Sequence, residues 1–245
     1  LTPVPNRSEA AAPLGTADDL AKIIIGDLTG AITGLKSKAS QEPGRATSGA
    51  AKTLLANLYM IQKNWAGAEK LCREVIAEGS YSLMPDYNNA FSTSTANKNN
   101  AESIFEVQFQ EGSNGYNGSF FYNFLPRPMT EVELKTLSGT SNPQPQTGEG
   151  NNIPTPDIIA AYEAGDLRKS ASIATATIGT GDFPYIKKLL QPHTQHGVTG
   201  TNWPVYRYAE TLLLLAEALN EGNKPGEAVV YLNQVRARAG LAATT

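Results

Sequence analysis

Apolar residues recur at helical spacing near both ends of the chain and lose that spacing between them. Leu20, Ile23, Ile24, Leu28, Ala31, Ile32 and Leu35 form one stripe. Thr16-Ala17-Asp18-Asp19 precedes it as a helix start, a Thr cap followed by acids at the positive end of the helix dipole. The polar residues 37–44 reverse the chain. Ala51, Leu54, Leu55 and Leu58 then repeat the spacing, residues 65–78 supply a partner helix, and Gly79 offers a left-handed cap. From there the period changes. Residues 102–110 alternate, with Phe105, Val107 and Phe109 on one face, which predicts a short half-buried strand. Residues 111–156 are rich in Gly, Asn, Pro and Thr and too polar for a helical core. A loop of that length in a compact domain is usually functional. Thr155-Pro156-Asp157 opens a short helix through Ala164, stopped by Gly165-Asp166. Residues 172–202 show no helical period, apart from a possible strand at 185–190. Trp203-Pro204 leads into a last helical hairpin, where Pro225 suits the first position of a helix.

That last hairpin is a second copy of the first. A shift of 160 positions places Leu54, Leu55 and Ala56 on Leu214, Leu215 and Ala216, Ala68 on Ala228, and Val75 on Val235. A repeated helix-turn-helix of about 34 residues with small Ala at the crossings is the pattern of tetratricopeptide packing. The expected fold is therefore mainly all-α: tetratricopeptide-like helical hairpins with a long irregular insertion containing short strands. Within one domain over 1–245, the parts are a first helical region at 16–79, a loop-rich insertion at 80–204 and a second hairpin at 205–240. The hairpin helices are expected near 49–62, 66–78, 206–221 and 225–239, with Ala56 and Ala216 at equivalent contacts.

Composition narrows the function. Forty per cent hydrophobic residues suffice for a core, and a net charge of −3 gives no general attraction for nucleic acid or anionic lipid. No apolar run approaches the roughly 18 residues of a membrane span. Leu1-Thr2-Pro3-Val4-Pro5 has the pattern of neither a signal peptide nor an initiator segment, so the chain reads as part of a longer one. Cys72, the single cysteine, falls on an apolar helix face and reads as core. His193 and His196 are the only imidazoles. They sit between Pro192 and Gly197 in an apparent turn and lack a third ligand, so no metal site is expected. Nucleophile elbow, phosphate loop and zincin motifs are missing, and no carboxylate pair stands out. Neither catalysis nor a cofactor is expected.

Several further stretches stand in a definite order: Gly44-Arg45-Ala46-Thr47 with Gly49-Ala50-Ala51, Tyr81-Ser82-Leu83 with Asp86-Tyr87, and Glu102-Ser103-Ile104-Phe105-Glu106-Val107. Tyr162-Glu163 with Gly165-Asp166 and Arg168, then Arg207-Tyr208-Ala209-Glu210, and finally Asn233-Gln234-Val235-Arg236, complete the series. In that order they resemble the SusD/RagB family of outer-membrane nutrient-binding lipoproteins of Bacteroidetes. The resemblance implies a cell-surface, lipid-anchored binding protein that passes an oligosaccharide to a SusC-like TonB-dependent outer-membrane transporter. The anchor would lie outside this chain, and both anchor and transporter are implied by the resemblance alone. A peptide or other nutrient binder on the same scaffold, or a tetratricopeptide adaptor, are the competing readings.

A sugar-binding surface needs aromatic faces for C–H stacking and amides for hydroxyls. The stretch Asn114-Gly115-Tyr116-Asn117-Gly118-Ser119-Phe120-Phe121-Tyr122-Asn123 combines them. Asn114, Tyr116, Asn117 and Tyr122 are the candidate ligand residues, with Trp203 added as a ring at an element boundary that could equally be an anchor. Phe120, Phe121 and Trp65 are expected to pack, and Arg45, Arg168 and Arg207 to form ion pairs or caps.

Overall fold

The computed structural model describes residues 15–92, 97–112, 115–145 and 150–245. Helix α1 (Ala17–Gly34) starts at a capping box: the Thr16 hydroxyl accepts from the Asp19 N–H and the Asp19 carboxylate accepts from the Thr16 N–H. Helix α2 (Ser48–Ile61) is capped by Thr47, and α3 (Trp65–Ala77) by the Asn64 side chain, which accepts from the Gly67 N–H. At the other end of the chain, α7 (Tyr208–Glu221) and α8 (Pro225–Arg238) form the second hairpin.

The two hairpins match down to their turns. Lys63 and Asn223, related by the same shift, both take a left-handed backbone, with φ of 57° and 62°. Beyond them the Asn64 N–H donates to the Tyr59 carbonyl and the Lys224 N–H to the Leu219 carbonyl, each at 2.8 Å. Ala56 and Ala216 are both buried, as are Ala68 and Ala228. Small side chains at those points let the helix axes approach. Helix α3 packs on α7 and α1 on α2, so the hairpins form one stack. Leu55, Ala56, Leu71 and Cys72 meet Leu215 and Leu219 in its core. Burying each Leu there is worth about 1.5–3 kcal/mol. Burial also pushes the Cys72 thiol up to about 12, the signature of a packing residue. Trp65 packs with Met60, Ala68 and Ala218.

Between the hairpins the chain leaves and re-enters through a two-stranded antiparallel sheet, β1 (Ser103–Val107) with β4 (Trp203–Arg207). The alternation predicted Phe105, Val107 and Phe109 as one face, yet the strand buries Ile104 and Glu106 and exposes Val107. Glu106 can point inward because it accepts from the Asn99 N–H and the Asn202 amide. Glu102, with no exposed surface, binds Arg207 at 2.5 Å and Arg238 at 2.6 Å, and accepts from the Met84 N–H. Two guanidiniums on one carboxylate thus clamp β1, β4 and α8 together.

The inserted region builds its own core from Phe121, Leu125, Leu134, Tyr185 and Leu189. It also contains a helix where polarity predicted none. Helix α4 (Glu131–Ser138) starts at a Thr130–Glu133 capping box and buries Leu134. Helix α5 (Pro156–Ala160) ends earlier than predicted, and α6 (Leu167–Ser172) follows, capped by Asp166. A hairpin of β2 (Ile173–Ile178) and β3 (Gly181–Ile186) replaces the strand expected at 185–190.

Candidate functional site

Trp203 opens β4, and its position is set by the rings around it. Phe120 meets it edge-on at 5.0 Å and Phe109 supports Phe120 at 5.5 Å. Phe124 lies 6.4 Å away on the same 3-10 turn, Phe120–Phe124. Trp203 as a whole remains 40% exposed. It borders a hollow of about 360 Å³ with Phe91, Phe124 and Leu189 as apolar wall and Arg207 and Glu210 as polar wall. A second hollow of about 340 Å³ adjoins it, lined by Ile153, Thr155, Ile158 and Tyr162. Asn152, Ile186 and Lys188 line both, so the two hollows adjoin at those side chains, which form the waist of a two-lobed cleft surface.

Local backbone chemistry places that waist. A Cβ on Gly150 would stand 2.5 Å from the Leu125 carbonyl oxygen, so only glycine allows the segment to pass so closely. The Asn151 N–H then donates to the Asn123 carbonyl, and Asn152 adopts a left-handed turn with φ of 54°. Lys188 follows β3 and holds its ammonium over the Phe91 ring at 5.4 Å, with the Arg207 guanidinium over the same ring at 5.1 Å. Burial raises the Glu210 carboxyl above its ordinary value, and the Arg207 charge works against that shift. A larger hollow of about 640 Å³ lies along α7 and α8 beside Leu213, Glu217 and Leu232, without an aromatic wall.

The other residues singled out from sequence occupy different surroundings. Tyr116 is 69% exposed on a turn closed by the Gln110 N–H donating to its carbonyl. The Asn117 amide, half-buried, donates to the Gly112 carbonyl and holds the same turn. Tyr122 is buried, and its hydroxyl lies 2.6 Å from His193 Nε2. His193 Nδ1 faces the Gln191 carbonyl at 2.9 Å and so carries the proton, which makes Tyr122 the donor to Nε2. Asn114 lies outside the described residues. Phe121 is core, and Phe120 is a half-buried support for Trp203. Arg45 pairs with Glu42 at the surface, and Arg168 with its neighbour Asp166. Phe124, Asn152, Lys188 and Glu210 were not read from sequence as site residues. They come from four separate segments that meet only once the insertion packs against α7.

Among the described residues no group of three His, Cys, Asp or Glu side chains converges on a possible metal position. Among the described residues the cleft is lined by one carboxylate, Glu210, and no histidine.

A profile described as the SusD family matches residues 168–245. The SusD-like protein P25 of Formosa agariphila is 30% identical over 254 residues, covering 91% of this chain and 47% of its own length. The chain belongs to the SusD family. It spans about half the length of the curated relatives it matches. Surface glycan-binding protein A from Bacteroides uniformis superposes with a TM-score of 0.76 at 25% identity, covering 95% of this chain and 52% of that one. The surface glycan-binding protein A of Bacteroides thetaiotaomicron, solved with laminarihexaose, superposes at 0.74 with 23% identity, over 94% and 56% of the two chains. The tetratricopeptide-like stack with its irregular insertion is thus the SusD-family architecture.

Proposed function

We propose that this SusD-family chain is the binding region of a non-catalytic, cell-surface protein that captures an oligosaccharide in the two-lobed cleft. The observation that carries the reading is the order of ring, amide and ring along two adjoining hollows: Trp203 in one lobe, Asn152 lining both, Tyr162 in the other. A chain of pyranose units presents alternating C–H faces and hydroxyls, which suits that order. Tyr116 offers a second exposed ring on a neighbouring turn, with Asn114 and Asn117 beside it in sequence. Tyr122, buried, holds the 191–197 segment through His193. The solved relatives named as glycan-binding proteins support this class of ligand. Delivery to a TonB-dependent transporter and a lipid anchor in the outer membrane complete the proposal, on the family resemblance. No helix among the described residues is long and apolar enough to cross a membrane.

Calorimetric titration with an oligosaccharide captured from a glycan array tests the cleft. Trp203→Ala should weaken binding by about 1–3 kcal/mol without unfolding the protein, as a truncated hot-spot ring does. Tyr162→Ala should weaken it in the same direction and Tyr116→Ala less. If folded Trp203→Ala and Tyr162→Ala bind like the parent, the cleft is not the site. If peptide pools bind and glycans do not, the peptide reading replaces this one.

A further inference from the structure

Lys188 is a feature of the cleft whose charge a neutral sugar chain would leave uncompensated. Its side chain is half-buried at the waist, where it lines both lobes. The contact recorded for its ammonium is the face of Phe91, and no carboxylate among the described residues pairs with it. Its charged neighbours along the cleft are Arg207 and Glu210. Arg207 already shares Glu102 with Arg238, so that cluster holds two guanidiniums against one carboxylate. Glu210 lines the same lobe, its carboxyl raised by burial and opposed in that by the Arg207 charge. Together these groups leave one positive charge in excess, and among the described residues Lys188 is the cleft cation without an ion-pair partner. A half-buried cation facing a hollow gains most from an anion that arrives with the ligand, because the solvation it has lost is then replaced by a direct charge contact.

We infer that the cleft selects glycans carrying an anionic group, a uronate carboxylate or a sulfate ester, seated at the waist against Lys188 with Trp203 and Tyr162 stacking on the flanking rings. This rests on the glycan-binding reading of the same cleft and narrows its ligand class. The waist suits such a group for a second reason: Asn152, on the same stretch of wall, can donate its amide to the anion's remaining oxygens.

The test uses an array bearing neutral, uronate-containing and sulfated oligosaccharides on one linker, followed by titration of the protein and of Lys188→Met, which keeps the aliphatic stem over Phe91. The parent should bind acidic members at least about tenfold more tightly than their methyl-esterified or desulfated counterparts. Raising salt from about 0.05 to 0.5 M should erode that margin. Lys188→Met should abolish the margin while keeping residual binding that still depends on Trp203. The uronate and sulfate arms separate the two sources of the charge. Equal binding of acidic and neutral members, or a margin that survives in Lys188→Met, overturns this inference and leaves glycan capture standing. Failure to bind any glycan overturns both.

Discussion

At the scale of single residues, the chain places charge where burial and partners decide its cost. Glu102 is fully buried yet meets two guanidiniums and a backbone N–H, so its charge is compensated. Glu210 is the contrasting case. Burial raises its carboxyl above the ordinary 4.5, with Arg207 opposing but not cancelling the shift. The native state therefore holds that proton more tightly than the unfolded chain. Stability falls as pH rises through the interval above 4.5, and near neutral pH the full penalty is present. Glu210→Gln should accordingly raise the melting temperature relative to the parent near neutral pH, with the gain fading by about pH 4, where the carboxyl is protonated in both states. Thermal melts at the two pH values decide it. A gain of equal size at both would mean that charge is not its cause.

At the scale of elements, glycine separates helices that must touch a neighbour from helices that need not. Gly49 sits in α2, where an added Cβ would stand 2.4 Å from the Tyr81 hydroxyl. Tyr81 in turn pairs with Thr47 and stacks on Tyr208 at 6.3 Å, so it cannot move without disturbing the entry to α2. Gly26, in the middle of α1, has nothing within 4 Å of that position. Overpacking at Gly49 costs about 1–3 kcal/mol, against a helix-propensity gain of about 1 kcal/mol. Gly49→Ala should therefore destabilise, while Gly26→Ala should stabilise by about 0.5–1 kcal/mol. Urea titration of both would refute the contact argument if they shifted in the same direction. The same contrast explains what was legible beforehand. The hairpins were readable because helical period and Ala crossings repeat at one shift. Helix α4 was missed although its Thr130–Glu133 capping box stood in plain sequence, because one buried Leu134 gives too weak a stripe to find by period. The β2–β3 hairpin escaped for a related reason. It alternates small and polar residues, and its buried positions, Ala176 and Tyr185, face a core that the sequence does not locate. The cleft was the least legible part. Trp203 could be flagged as a ring at a boundary, but Asn152, Tyr162 and Lys188 acquire a common address only once those elements pack.

At the scale of the whole molecule, the helical stack and the inserted region keep separate apolar cores joined by a polar and aromatic seam. The stack closes over Leu55, Leu71, Leu215 and Leu219, and the insertion over Phe121, Leu125, Leu134 and Tyr185. The seam is Glu102 with Arg207 and Arg238, whose guanidiniums also lie over Tyr87 at 5.7 and 4.9 Å. The Leu167 N–H donates to the Ala239 carbonyl beside it. The cleft draws on both sides of that seam, since Lys188 and Phe124 come with the insertion while Glu210 belongs to α7. Cooperativity should follow this division. Leu134→Ala and Leu215→Ala each remove a fully buried side chain, at a cost of about 2–5 kcal/mol. Native-state hydrogen exchange on Leu134→Ala should show faster exchange in α4, β2 and β3 while α2 and α7 stay protected, and Leu215→Ala should show the reverse. Glu102→Gln leaves two guanidiniums without their anion and should cost about 3–5 kcal/mol, lowering protection on both sides at once. Loss of protection in α2 and α7 for Leu134→Ala as large as in the insertion would mean a single core, with the seam no more than its polar interior.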